Sequence, residues 1–357
     1  MKICYLVPSI TQKAPVLVAL DLAREMSFLG HDVTVYYFDD VDSDIHLPKN
    51  VDFIKISFFE KIDIESFDIV HSHMLRPDLY VFFHKKINGG NTRYITTLHN
   101  YVKEDLRYYY NSIISFLFSF IWNVAWTRHD KLVALSKDAV SYYKELSFNK
   151  RITYAYNGRS VEFDYASIPN ELKTKIGYLK DDGYLIIGTY CVISKRKGID
   201  LLLGLVKRKE KLAIVIIGDG PEKDALVAMA KELDIYHKCM FIPSTPVAQQ
   251  YNSLFDIYAI PSRSEGFGLA LIEAALHGKS IICSDIPIFR EIFDDSAVTY
   301  FTLDDDLSLD EALDVSLKKP QKAMAALSMA KKYYSAVAMA NKYQSIYIDS
   351  LYLDPNK

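Results

Sequence analysis

"FDIYAIPSRSEGFGLALIEAALHG" (255–278) is the stretch whose reading decides the fold. Its opening, "FDIYAIP", is a short apolar run stopped by Pro261 and reads as a buried strand. Its centre is a turn carrying Gly266 and Gly268. Its end, "LALIEAALHG", reads as a helix closed by Gly278. Strand, glycine turn and helix together form one unit of a doubly wound α/β sheet. Free amides at the helix start, with glycines allowing close approach, make an anion site suited to a diphosphate. Glu265 and Glu273 flank that turn and would repel an anion. They make sense as acceptors for sugar hydroxyls on either side of it. Glu265 precedes the turn and is placed to reach a hexose; Glu273, further along the helix, is placed to reach a ribose. The plain alternative is a structural turn with exposed carboxylates.

Working outward, the same rhythm fills the chain. "KICYLVP" (2–8), "HDVTVYYF" (31–38), "VDFIKIS" (51–57), "FDIVHSH" (67–73), "RYITTLHN" (93–100) and "RITYAYNGR" (151–159) read as strands. "APVLVALDLAREMSFLG" (14–30) reads as a helix, and "KLVALSKDAVSYYKEL" (131–146) as a strand running into one. The polar stretch Ser160–Lys180, with Pro169 and Asn170, reads as a linker. Strands then resume at "YLIIGTYCVI" (184–193), "LAIVIIGDG" (212–220), "KCMFIP" (238–243), "FDIYAIP" and "KSIICSD" (279–285), with "PEKDALVAMAKELDI" (221–235) helical between two of them. The pattern predicts two doubly wound α/β domains, 1–165 and 171–335, with a C-terminal helix (336–357) returning to the first. The cleft between two such domains is the expected site.

Composition bounds the answer. The chain has 357 residues, enough for two domains. A formal net charge of −3 gives no support for nucleic-acid binding. Cys4, Cys191, Cys239 and Cys283 are scattered and form no CxxC pair, so neither a zinc site nor a disulfide framework is indicated. "MKICYLVPSI" lacks a secretory pattern, so a reduced, cytoplasmic home is the default expectation. One segment strains that default. "YYYNSIISFLFSFIWNVAW" (108–126) is dense in Phe, Ile, Leu and Trp but broken by Asn111, Ser112, Ser115, Ser119 and Asn123. It reads either as a buried helix or as a helix whose apolar face meets a bilayer, flanked by Lys103, Arg107, Arg128 and Lys131.

The two glutamates of "EGFGLALIE" (265–273), with seven residues between them, resemble the signature of the retaining glycosyltransferases of family 4. "IGDGPEKDALVAMAKEL", "LVALSKDAV", "ITYAYNGR", "FDIVHSH" and "YITTLHN" resemble further blocks of that family, in the family order. The resemblance implies the GT-B fold, an α/β arrangement of two Rossmann-like domains facing a deep cleft. It implies transfer of a hexose from a UDP- or GDP-sugar to a hydroxyl of a glycan, with retention, no metal and no cofactor. It also implies roles. Glu265 would contact the donor sugar and Glu273 the ribose. Gly266 belongs to the turn that approaches the donor, where Phe267, Gly268 and Leu269 would offer backbone groups to the diphosphate. Lys197 in "SKRKG" (194–198) would neutralise the leaving diphosphate, and His99 would lie near the donor hexose. Short members of the family act in bacterial surface-polysaccharide synthesis. A lipid-linked acceptor, O-antigen or capsule synthesis and a peripheral place on the inner membrane face are expected on that likeness.

The chain also departs from the family. An arginine usually stands five residues before the lysine; here that position is Val192, after Cys191. Lys195 or Arg196 is the candidate replacement. The loop after the first strand, "PSITQKAP" (8–15), lacks the usual glycines. A nucleotide-sugar epimerase and a non-catalytic sugar-nucleotide binder remain open beside the transferase. Several patterns are set aside. "DVDSD" (40–44) has an Asp-x-Asp but reads as a solvated loop. "HGKS" (277–280) lacks the first glycine of a phosphate loop, and "GDGPEK" (218–223) the third glycine of a dinucleotide fingerprint. "HSH" (71–73) has no visible partners for a metal.

Overall fold

The computed structural model describes residues 1–39, 41, 45, 47–87, 90–161 and 163–352, with the backbone alone at 107–109. The aspartates of "DVDSD" and the last residues of the expected C-terminal helix, 353–357, lie outside the described residues. The chain divides into two compact units, Met1–Arg159 joined by the C-terminal stretch from Tyr333, and Ser160–Lys332.

Unit 1 runs β1 (Lys2–Val7), α1 (Ala14–Phe28), β2 (Asp32–Tyr37), β3 (Asp52–Lys55), β4 (Ile69–His73), α2 (Leu75–His84), β5 (Arg93–Leu98), α3 (Val102–Tyr109), α4 (Ser112–Trp126), β6 (Lys131–Ala134), α5 (Lys137–Leu146) and β7 (Ile152–Tyr154). Unit 2 runs α6 (Asn170–Asp181), β8 (Leu185–Tyr190), α7 (Ile199–Arg208), β9 (Leu212–Ile217), α8 (Lys223–Glu232), β10 (Cys239–Ile242), β11 (Ile257–Ile260), α9 (Leu269–Leu276), β12 (Ser280–Ser284), α10 (Pro287–Ile292), β13 (Thr299–Phe301), α11 (Asp306–Lys318) and α12 (Gln321–Tyr333). The last helix, α13 (Ala336–Leu351), belongs to unit 1.

Both sheets are parallel. Their orders are β3-β2-β1-β4-β5-β6-β7 and β10-β9-β8-β11-β12-β13. Strands covered on both faces read as continuous apolar runs rather than alternating ones, and "LAIVII" of β9 is buried at every position. Strand order reverses between β1 and β4 in unit 1 and between β8 and β11 in unit 2. Ligands of such sheets sit beyond the carboxyl ends of the strands at that reversal. The expected linker is partly wrong. Asn170–Asp181 is helical, and it reads as linker because Ile176 is its one buried residue. The short β13 was not expected at all.

The helix α4 is turned inside out. Ser115, Ser119 and Asn123, four residues apart, are buried together with Trp122 and Trp126. Ile113, Phe116, Leu117 and Phe120 are exposed, Phe116 at 69%. The cause lies in the buried carboxylate of Asp78 on α2. Its Oδ2 accepts the indole N–H of Trp122 at 2.7 Å and of Trp126 at 3.0 Å. Its Oδ1 accepts the hydroxyls of Ser72 at 2.6 Å and Thr96 at 2.7 Å. A buried carboxylate must collect donors, and two tryptophans on one helix face supply them. That choice points the phenylalanines outward. Among the described residues no helix is long and apolar enough to cross a membrane. Two of the expected basic flanks have defined places in the fold. Arg128 donates to the carbonyls of Lys85 and Lys86, and Lys131 starts β6.

Unit 1 is closed by α13. Arg159 N–H donates to the Tyr334 carbonyl and Ala336 N–H to the Arg159 carbonyl, both at 3.0 Å. Tyr347 reaches the His71 Nδ1 at 2.7 Å and the Tyr5 hydroxyl at 3.0 Å; Tyr343 reaches Thr97 at 2.8 Å.

Candidate active site

Two loops leave the sheet of unit 2 on either side of its reversal point. Residues 191–198 follow β8, and residues 261–268 follow β11. Gly198 adopts φ 65°, and a Cβ there would lie 2.1 Å from the Pro261 carbonyl oxygen. Only glycine lets the loops meet so closely. The Arg263 N–H then donates to the Arg196 carbonyl at 2.8 Å. The Arg263 guanidinium donates to the Lys195 carbonyl and to both oxygens of Asp200, at 2.8–3.0 Å.

That frame brings three expected residues together. Lys197 Nζ donates to Glu265 Oε1 at 2.5 Å. Arg196 Nη1 lies 3.5 Å from Glu265 Oε2 and donates to the Ser264 carbonyl at 2.9 Å. The Ser262 hydroxyl also donates to Glu265 Oε1, at 2.7 Å. Glu265 is buried, at 9% exposure. Burial alone would raise its pKa, but the Lys197 and Arg196 charges outweigh burial and hold it below the ordinary carboxylate value. Of the two candidate replacements for the missing arginine, Arg196 faces this carboxylate. Lys195 lines a separate cavity of about 440 Å³ with Ser194, Ile199, Asp200, Glu222, Leu226 and Arg263. Val192 itself is 62% exposed.

The turn then enters α9. Gly268 holds φ 92°, and a Cβ there would stand 2.7 Å from the Phe289 ring. Phe267 is buried, while Gly266 and Leu269 are half-buried. The first amides of α9 have no acceptor within the helix, as at any helix start. One turn on, Glu273 is buried at 9% exposure. Burial first, then the Glu273 charge, pushes the Tyr190 phenol well above its ordinary value. So Glu273 sits against Tyr190, whose hydroxyl also accepts from Asn252 at 3.1 Å.

His99 belongs to unit 1, just beyond β5. Its Nε2 meets His73 Nδ1 at 2.8 Å. The rings of His71 and His73 are tilted by 35°, with centroids 4.3 Å apart. Burial drives His71 and His73 well below the ordinary imidazole value and His99 down to about 3, so all three are neutral at physiological pH. Both nitrogens of His71 are taken, by Tyr347 and by Thr97 at 2.8 Å. Among the described residues, no three His, Cys, Asp or Glu side chains gather as metal ligands.

Reading the sequence alone missed Ser262, Arg263 and Asp200. Arg263 stands two residues before Glu265 and was readable only as a turn residue. Asp200 is distant in sequence and comes close through the loop contact.

Comparison with known proteins bears on this geometry. Residues 16–163 match the model described as Glycosyltransferase Family 4, and residues 172–332 the model described as Glycosyl transferases group 1. An O-antigen biosynthesis glycosyltransferase, WclY of Escherichia coli, is 34% identical over 307 residues, 84% of each chain. An N-acetylgalactosaminyltransferase of Campylobacter jejuni that acts on a diphospho-undecaprenol-linked sugar is 26% identical over 224 residues, 62% of this chain and 58% of that one. The crystal structure of Anabaena HepE with UDP and glucose superimposes with a TM-score of 0.79 at 15% identity, covering 98% of this chain and 100% of that one.

Proposed function

The chain belongs to the family 4 glycosyltransferases, has their GT-B fold and is a glycosyltransferase; from that premise we propose that it moves a hexose from a UDP- or GDP-sugar to a hydroxyl of a lipid-linked glycan in O-antigen or related surface-polysaccharide synthesis, with retention at the anomeric carbon. The observation that carries this reading is the buried Glu265 held by Lys197 and Arg196 beside the α9 turn. A carboxylate there accepts hydroxyls of the donor hexose. Lys197 has further N–H donors for a leaving diphosphate, and Arg196 supplies the charge that Val192 does not. The α9 amides, reached past Gly266, Phe267, Gly268 and Leu269, add donors to the same phosphates. Glu273, fixed against Tyr190, accepts from the ribose. His99 is assigned to the hexose.

The reaction balances within the two substrates. The bond from the anomeric carbon to the diphosphate oxygen breaks, and a bond to the acceptor oxygen forms on the same face. The acceptor proton passes to the departing phosphate oxygen. Positive charge from Lys197 and Arg196 stabilises that oxygen as charge develops on it.

The inverted helix α4 gives the acceptor's carrier a place to dock. Phe120 packs on exposed Phe148 with ring centroids 6.0 Å apart. Lys144 and Lys150, both exposed, flank Phe148 in the chain, and Lys150 Nζ donates to the Lys144 carbonyl at 2.6 Å. An apolar patch rimmed by lysines fits an anionic bilayer surface.

The test is turnover on a lipid-linked acceptor with a panel of UDP- and GDP-sugars, followed by NMR of the product linkage. An α-configured donor yielding an α-linked product supports retention. Sugar-nucleotide loss without any glycoside, or an inverted linkage, would overturn the reading.

A further inference from the structure

We propose that His73 is a positioning residue that fixes the tautomer of His99, so that His99 presents N–H, and not a lone pair, at Nδ1. The structure leaves two neutral arrangements for the bond between His73 Nδ1 and His99 Nε2. In the first, His73 donates from Nδ1, its Nε2 carries a lone pair, and His99 carries its proton on Nδ1. In the second, His99 donates from Nε2 and His73 carries its proton on Nε2. The deciding atom is His73 Nε2. It is fully buried and has no hydrogen-bond partner among the described residues. An orphaned buried N–H is among the rarest features of folded proteins, because the donor forfeits water and gains nothing. A buried lone pair is the lesser loss, so the first arrangement wins. A charged His73 would need N–H on both nitrogens and a buried cation besides, and among the described residues no carboxylate is hydrogen-bonded to either ring.

The consequence falls on His99. Its ring is only half-buried, and its Nδ1 is not among the buried nitrogens left without a partner. His73 therefore turns it into a fixed donor toward an oxygen atom and denies it the role of a base at that nitrogen. That the oxygen belongs to the donor hexose rests on the function proposed above; the tautomer does not.

The experiment is a long-range ¹H–¹⁵N correlation spectrum of the full chain labelled with ¹⁵N-histidine at neutral pH, His99 being assigned by His99→Gln. The expected pattern is a protonated, pyrrole-type Nδ1 and a bare, pyridine-type Nε2. The reverse pattern, or averaged shifts from mixed tautomers, overturns the proposal. His73→Asn keeps an N–H donor near Nδ1 and should preserve the His99 pattern. His73→Asp offers only an acceptor and should transfer the proton to His99 Nε2. An unchanged His99 pattern in folded His73→Asp would also overturn it. If His99→Gln turns over normally while the tautomer is as expected, the hexose assignment fails and the positioning role stands.

Discussion

Each unit reverses its strand order once, and chemistry-bearing side chains gather at both reversals in opposite electrical states. In unit 2, Glu265 is buried with its charge, held by Lys197 at 2.5 Å and Arg196 at 3.5 Å. In unit 1, His71, His73 and His99 are neutral, tied to one another and to the tyrosines of α13. Burying a charge is tolerable where opposite charges accompany it or where several hydrogen-bond donors converge on it, as they do on Asp78. Imidazoles have the other option of releasing their proton. The difference teaches that one fold element, repeated, can hold two opposite electrical environments. The charged end suits a group that gains charge in the reaction; the neutral end suits directional hydrogen bonds.

The comparison breaks most visibly at Lys197. Lys197→Ala removes the cation nearest Glu265, and kcat should fall about 10²- to 10³-fold, as for loss of one major electrostatic contact. Measured beside it, Lys197→Arg should recover part of the rate. Equal kcat for wild type and Lys197→Ala would dissolve the charged half of the contrast.

Next in size is a test of what anchors the neutral half. Asp78→Ala strips four donors of their acceptor and should cost about 3 kcal/mol or more in urea unfolding. The same substitution should loosen α4, read as faster amide exchange around Trp122 and Trp126. A loss under about 1 kcal/mol would mean that the two indoles do not depend on this carboxylate.

Acid should then separate the units. The folded imidazoles of His71, His73, His99 and His129 all sit below the ordinary value of 6.5, mainly through burial. The unfolded chain takes up their protons first, so stability falls as pH drops below about 6.5 and goes on falling toward the folded values. Each imidazole contributes at most about 1.4 kcal/mol per pH unit within that window. Among the described residues unit 2 has one such group, His277. Its Glu265, lowered from 4.5, gives stability that is present above about 4.5 and is lost as pH falls through the folded value. Unit 1 should open before unit 2 between pH 6.5 and 5, as read by exchange mass spectrometry. Simultaneous opening, or unit 2 first, contradicts the assignment.

The smallest effects belong to the surface. Phe116→Ser with Phe120→Ser should reduce flotation with anionic vesicles about tenfold or more, since each inserted ring would withdraw a large apolar area from water, and should leave kcat on a soluble acceptor unchanged. Trp126 is no probe of the membrane, because it is buried on Asp78.

Much of the fold was legible because parallel strands write themselves as apolar runs between glycine turns. The sequence reading went astray where helix burial follows a polar anchor. In α4 the serines and Asn123 read as interruptions of an apolar face, yet they line the inside, because Asp78 draws Trp122 and Trp126 inward. The helix α6 read as linker because one buried residue leaves no periodicity to see. At the site, the turn and its two glutamates were readable from spacing, and Lys197 from the resemblance. Arg263 and Ser262 were not, because their work is to hold loops that are adjacent only after folding. Neither was His73, whose part depends on which of its nitrogens lacks a partner.

The central claim is that Lys197 and Glu265 form the donor site of unit 2. The most direct measurement is the melting temperature of the full chain with UDP- and GDP-sugars, for wild type, Lys197→Ala and Glu273→Ala. A ligand that binds the folded chain raises its melting temperature by mass action. The account predicts a concentration-dependent rise for one base class with the wild type, and a rise much reduced in both variants at the same concentrations. An undiminished rise in Lys197→Ala and Glu273→Ala would place the donor elsewhere and contradict the account.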